Sequence, residues 1–395
     1  MTAGIDVAAV RAATPGCERV LHFNNAGASL MPDPVWEAVT GHLALEREIG
    51  GYEAERASAG ALAGLYDEVA GLLGARAEEI AFVENATRAW DMAFYGLPLC
   101  EGDRILTHAS EYVSNWLGMV QLARRRGLGL DLVPSDGTGQ VDVAALERMI
   151  GPRTRLIALT HVPTQGGLVN PAEEVGRVAK AHGVTFMLDA CQSAGQMPLD
   201  VGRIGCQILS GTGRKFLRGP RGTGFLYVAR ELAEGIEPPF VDLRATRWTG
   251  PESYELMPGA QRFENWESYV AGRAGLAAAV RYARGLGLAA IWERVEALGA
   301  RLREALAAVP GVSLHDMGAR KCGIVSFALA GEAPSETMRR LAGQGINMSV
   351  TLGAAALIDF AERGLNELGR ASVHYFNTED EVDRFAAAVA GRRAA

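Results

Sequence analysis

Seven short apolar runs, separated by stretches of helical periodicity, limit the folds open to this chain more than any other feature. The runs are Ile80–Val83, Arg104–His108, Leu130–Pro134, Arg155–Thr160, Val184–Asp189, Gln207–Ser210 and Gly224–Val228. Most are continuously apolar and bounded by Gly, Asp, Asn or Thr, the pattern of strands covered on both faces. Helical stretches such as Pro171–His182 lie between several of them, so an α/β fold is expected, with a mainly parallel seven-stranded sheet flanked by helices. After about residue 270 the texture changes. Arg273 to Val309 is rich in Ala, Leu and Arg with helical periodicity, interrupted near Gly285–Gly287. A strand candidate (Gly323–Phe327), a helix (Ser335–Gln344) and a final strand–helix pair (Arg370–Tyr375, Asp380–Ala390) follow. With about 100–200 residues per domain as the usual size, the chain is expected to divide into a large domain, 20–270, and a smaller α+β domain made of 1–19 and 271–395.

The charge balance excludes some partners. A formal net charge of −7 argues against nucleic acid or an anionic membrane surface. No stretch reaches the ~18 uninterrupted apolar residues of a membrane span, and the first residues lack the pattern of a signal peptide. Cys17, Cys100, Cys191, Cys206 and Cys322 are odd in number and scattered without C-x-x-C spacing, so neither a disulfide framework nor a metal site is indicated. A cytoplasmic enzyme with reduced thiols is the expectation.

In open α/β sheets ligands bind beyond the carboxyl ends of the strands. The residues there are Asn85-Ala86-Thr87, Glu111-Tyr112, Thr164-Gln165, Asp189 with Gln192, and Ser210 to Lys215. Two pieces stand out. Thr185 to Gln192 is a buried strand ending in Asp189; Ser210-Gly211-Thr212-Gly213-Arg214-Lys215-Phe216 places a lysine 26 residues after that acid. Separately, the Asp reads as a turn former and the Lys as a solvated charge. Together they supply what an aldehyde cofactor of the pyridoxal type requires: an imine-forming amine, a carboxylate to keep a pyridine nitrogen protonated, and hydroxyls and backbone N–H groups for a phosphate.

With these segments in view, the chain resembles the class V aminotransferase superfamily of pyridoxal 5′-phosphate (PLP) enzymes of fold type I. The similar branch includes cysteine desulfurases, selenocysteine lyases and isopenicillin-N-epimerase-like proteins. The resemblance runs from Leu21-His22-Phe23-Asn24-Asn25-Ala26-Gly27 to Arg370-Ala371-Ser372-Val373-His374-Tyr375-Phe376-Asn377-Thr378. It implies that Lys215 is the Schiff-base lysine and the proton shuttle at the substrate Cα. Asp189 would pair with the pyridinium nitrogen, and Gln192 would bond the phenolic oxygen. Ala86, Thr87 and Thr212 would bind the phosphate, and Tyr112 would stack on the ring. Ser268 would reach the phosphate from a second subunit, which implies a homodimer with shared sites. Arg370 would clamp the α-carboxylate of an amino-acid substrate, with Asn25 and Thr164 lining the substrate side. His161 reads as a structural histidine, and Arg244, Arg247 and Trp248 as part of a Thr/Arg-rich loop.

Two departures from the desulfurases shape the functional expectation. Tyr112 stands where they usually stack a histidine, and a phenol is a poor general acid or base near neutrality. Counting back from Arg370, Ala355 or a neighbour occupies the place of their sulfur-accepting cysteine, and no cysteine follows Cys322. The segment Glu111-Tyr112-Val113-Ser114-Asn115 is instead similar to C–S lyases of ergothioneine and lincosamide pathways. The expectation is therefore β-elimination on an S-substituted L-cysteine or its sulfoxide, giving pyruvate and ammonia. Transamination, epimerisation and decarboxylation coupled to oxidative deamination stand as alternatives, and ordinary desulfuration is disfavoured.

Overall fold

The computed structural model describes residues 4–391. Its seven-stranded sheet is built from β1 (Ile80–Val83), β2 (Arg104–His108), β3 (Gly129–Val133), β4 (Thr154–Thr160), β5 (Thr185–Asp189), β6 (Ile208–Thr212) and β7 (Gly224–Val228). The spatial order is β1-β7-β6-β5-β4-β2-β3. All pairings are parallel except the two made by β7, which is antiparallel to both β1 and β6. The reason is local: no helix lies between β6 and β7 to carry a parallel crossover, so the chain turns back on itself.

The continuous apolar runs are explained by burial on both sides of the sheet. In β5, Phe186 and Leu188 join one core cluster, which contains Val175, Val178 and Ala179 of the helix Ala172–Ala181. Met187, between them, joins a second cluster with Trp90 and Phe94 of the helix Ala86–Gly96. A strand covered on both faces has no position left for a polar side chain, so polarity is confined to its ends.

A four-stranded antiparallel sheet follows in the order Val312–Leu314, Ile324–Leu329, Glu367–Ser372, Ser349–Leu352. Its apolar face packs on Leu298, Leu302 and Leu306 of the helix Leu288–Ala307 and on Phe385 and Val389 of the helix Glu379–Val389. The helix before it, Val270–Leu286, ends where Gly287 takes φ +87°, a break that an L side chain would disfavour.

Several elements differ from the sequence expectation. The segment read as a Thr/Arg-rich loop contains a two-stranded hairpin, Thr246–Gly250 with Ser253–Leu256, whose Trp248 is 79% exposed. Within that region the half-buried Arg244 bonds Glu264 and the Tyr66 hydroxyl. Leu21–His22 pairs in parallel with Ile346–Asn347, joining the beginning of the chain to its C-terminal third. Among the described residues no helix is long and apolar enough to cross a membrane.

Candidate active site

Strand register places the chemistry on one edge of the large sheet. Thr160 is opposite Asp189 and Asp189 opposite Ser210; Thr212 is opposite Gly224 and Gly224 opposite Val83. Because β7 is reversed, β1 runs in the same direction as β6, and the helix that follows β1 starts beside Thr212. A cleft opens there, with about 570 Å³ of empty space when its open mouth is included. Asn85, Ala86, Thr87, Tyr112, Thr164, Asp189, Cys191, Gln192, Thr212, Arg214 and Lys215 are among its lining residues.

At one end, Asn85 caps the helix Ala86–Gly96, its Oδ1 accepting from the Arg88 N–H at 2.9 Å. The N–H groups of Ala86 and Thr87 precede the first intrahelical bond and face the cleft end of the helix dipole, a ready position for phosphate. Gly224 lets this turn approach: a Cβ there would lie 2.8 Å from the Asn85 carbonyl carbon and 3.0 Å from the Ala86 nitrogen.

Asp189 is 5% exposed and is held by two donors, the Cys191 N–H at 2.8 Å and Asn115 Nδ2 at 2.9 Å. Lys215 is buried, and desolvation pushes its ammonium down to about 8, opposed in part by the charges of Cys191 and Asp189. Its Nζ stands 5.9 Å from the centroid of the Tyr112 ring. The lysine loop is held by Arg218, which at φ +61° is the only non-glycine with positive φ among the described residues. The fully buried guanidinium donates to the Leu30 carbonyl, the Tyr375 hydroxyl and Thr14 Oγ1 at 2.6–2.9 Å.

On the substrate side, Arg370 donates to the Thr164 carbonyl at 3.1 Å and to its hydroxyl. Burial, reinforced by the charge of Arg214, pulls Arg370 down to about 10. Its Nε is buried without a partner, and none of its bonds goes to a carboxylate. Gln192 donates to the Ala26 carbonyl and to Thr164 Oγ1, while its Oε1 is buried and unpartnered.

Asn25, Arg370 and Ser268 are not among the residues lining this cleft, and of these Ser268 was expected to serve the site of a second copy. Asn25 is fully buried and does not line the cleft; its amide donates to the Ser372 carbonyl at 2.7 Å and accepts from Ser29, tying the first strand region to the last. Ser268 lies in the turn before the helix Val270–Leu286, outside the lining of this chain's cleft. His161 is buried and neutral, burial holding it down to about 4. Conversely, Cys191, Arg214 and Asn115 join or support the site without having been assigned a role from sequence. Asn115 lies in the first turn of the helix Val113–Arg126, close after Glu111, whose Oε1 accepts from its amide at 2.9 Å.

A buried amine of lowered basicity, a buried carboxylate, free helix N–H groups beside two threonine hydroxyls, and a guanidinium bonded to no carboxylate fit PLP with an amino acid attached. Comparisons with known proteins agree. The family described as Aminotransferase class-V matches residues 21–385. A probable cysteine desulfurase of Pyrococcus abyssi is 30% identical over 385 residues, 95% of each chain. The apo structure of a cysteine desulfurase from Thermococcus onnurineus NA1 superposes with a TM-score of 0.92 at 29% identity, covering 99% of each chain. A lysine-to-alanine mutant of C-DES with glycine covalently linked to the PLP cofactor gives a TM-score of 0.87 at 26% identity, covering 96% of this chain and 98% of that one.

These comparisons overturn the expected β-elimination on an S-substituted cysteine: the curated relatives and the Thermococcus onnurineus structure are named cysteine desulfurases, the reading the sequence had disfavoured. That expectation assumed the sulfur acceptor must be part of the same chain, which the chemistry of desulfuration does not require. With the fold, the cleft and the match over nearly its full length in agreement, this chain belongs to the aminotransferase class-V family and is a PLP-dependent enzyme.

Proposed function

We propose that this enzyme desulfurates L-cysteine, converting it to L-alanine and passing the sulfur to a thiol supplied by another molecule. The observation that carries the reading is the full-length similarity to cysteine desulfurases in a chain whose cleft is lined by Lys215 and Asp189, with Arg370 bonded to the lining residue Thr164. When bound, PLP supplies an aldehyde for the substrate amine and a ring that stabilises charge developing at the α carbon.

The residues divide the remaining work. Asp189, buried and doubly hydrogen-bonded, provides the anion for the ring nitrogen. Ala86, Thr87 and Thr212 hold the phosphate, and Tyr112 covers the ring near Lys215. Arg370, with Arg214 nearby, is missing an anionic partner that the substrate carboxylate provides. Lys215, with its ammonium pulled toward neutrality, takes and returns the proton at the substrate α carbon.

Sulfur transfer needs a thiolate. Cys191 lines the cleft, yet burial and the charge of Asp189 hold its thiol well above the usual range, which disqualifies it as the nucleophile. An incoming thiolate attacks the substrate sulfur, forming the S–S bond of a persulfide as the carbon–sulfur bond breaks; the side chain gains a proton and leaves as alanine. The balance is L-cysteine plus RSH to L-alanine plus RSSH. We further propose a homodimer in which Ser268, beside the exposed Trp266 and Tyr269, completes the phosphate site of the second copy.

The test is product analysis of the PLP-loaded enzyme with L-cysteine and a small thiol. Alanine and persulfide in equal amounts, at a rate that rises with thiol concentration, are expected. Pyruvate and ammonia in place of alanine would refute the proposal.

A further inference from the structure

Beneath the cofactor-binding edge lies an arrangement that the reaction outlined above does not use. Two buried carboxylates, Glu111 and Asp189, share a single amide: Asn115 Nδ2 donates to Glu111 Oε1 and to Asp189 Oδ2, each at 2.9 Å. One hydrogen goes to each acid. Glu111 Oε1 also accepts from the Tyr112 N–H at 2.9 Å and from the Thr160 hydroxyl. Its other oxygen, Oε2, is buried with no partner. An unpartnered buried oxygen is far costlier on an anion than on a carboxylic acid, so the geometry favours a proton there.

The geometry points to Glu111 as a charge-setting residue that acts on Asp189 through Asn115, keeping one anion rather than two beneath the cofactor ring. Asn115 is the positioning residue between them, fixing Asp189 Oδ2 while the Cys191 N–H fixes Oδ1. Burial first, then the charge of Asp189, pushes Glu111 up to about 7, against the pull of the Thr160, Asn115 and Tyr112 donors. Of the elements packed on Glu111, β4 presents Thr160, the helix Val113–Arg126 presents Asn115, and β5 presents Asp189, whose charge is the one that acts on it. With Glu111 protonated at lower pH, Asp189 would be the one anion available to the ring nitrogen. As the pH rises through about 7, Glu111 becomes a second anion 2.9 Å from the shared amide, and the added negative field raises the proton affinity of the imine–ring system. The inference needs only that PLP binds here, so it stands apart from the identity of the substrate.

The experiment follows the cofactor absorbance of the loaded protein between about pH 5.5 and 9 without substrate, for wild type, Glu111→Gln and Asn115→Ala. Cofactor Kd is measured by fluorescence at both ends of the range. Wild type should show an inflection near neutrality. Glu111→Gln, an isostere of the protonated acid, should lose the inflection while binding PLP within about 2-fold of wild type at low pH. Asn115→Ala should weaken PLP by about 10-fold or more, as the loss of a group that orients a ligating side chain does. An inflection that survives in Glu111→Gln would overturn the inference, and so would wild-type affinity in Asn115→Ala. The Glu111→Gln spectrum decides the matter even if the Asn115 variant folds poorly.

Discussion

Gly224→Ala adds one methyl group at the point where β7 passes under the start of the helix Ala86–Gly96. The new Cβ would lie 2.8 Å from the Asn85 carbonyl carbon, 2.9 Å from the Gly211 oxygen and 3.0 Å from the Ala86 nitrogen, all backbone atoms. Ordinary contacts need about 3.5–4.0 Å, so the layers must separate by roughly 0.5–1 Å. β7 is clamped on both sides, Gly224 pairing with Val83 and Thr212, so no flexible side chain absorbs the strain. Overpacking of this kind costs about 1–3 kcal/mol. The displacement carries the Ala86 and Thr87 N–H groups away from the phosphate. Losing one hydrogen bond to a charged group, about 1.5–3 kcal/mol, weakens cofactor binding roughly 10- to 100-fold. The assay is titration of the apo protein with PLP by absorbance or fluorescence, with a thermal melt to verify folding. Gly151→Ala, whose Cβ meets nothing within 4 Å, is the control and should bind normally. A Gly224→Ala protein that binds PLP within about 2-fold of wild type would refute the assignment of the phosphate to this turn.

Arg370→Ala should raise the KM for the amino acid by about 10- to 100-fold, through loss of the charged hydrogen bonds to its carboxylate, with a smaller change in kcat; an unchanged KM would remove Arg370 from that role. Covalent capture of PLP by the apo protein should accelerate as pH rises through about 8, where Lys215 loses its proton, and then level off; a flat rate between pH 7 and 9 would contradict the reading. Acid should destabilise the fold through His22, His108 and His161, which burial holds neutral down to about 4 against a usual 6.5. The unfolded chain then binds more protons between those values, so stability falls as pH drops, on the order of 1–2 kcal/mol per histidine at pH 5. Denaturant midpoints at pH 7 and pH 5 measure it, and a higher midpoint at pH 5 would show the sign to be wrong.

The large sheet was readable because strands such as β5 are apolar on both faces, so their residues form uninterrupted runs in the sequence. For the same reason the polar side chains collect at strand ends, which is how Asp189, Thr212 and Lys215 could be singled out together. What stayed hidden depended on contacts between distant segments. Asn25 sits in a motif-like stretch, yet its amide is engaged by Ser29 and Ser372, the latter 347 residues away. Arg218 looks like one more charge in a basic loop; that it is buried against Thr14 and Tyr375 follows only from how the chain ends come together. The hairpin around Trp248 was missed because its residues are exposed and leave no apolar alternation. The choice of reaction was misjudged at Ala355, where the lack of a thiol was taken to disfavour desulfuration, although the chemistry does not require the acceptor to be in the same chain.

The chain has three lysines, Lys180, Lys215 and Lys321, so the covalent attachment can be located without ambiguity. Borohydride reduction of the PLP-loaded protein, followed by proteolysis and mass spectrometry, should find the reduced cofactor on the peptide containing Lys215 and on neither of the others. Label on Lys180 or Lys321, or no label at all, would contradict the central claim that the buried amine lining the cleft with Asp189 is the one that holds the cofactor.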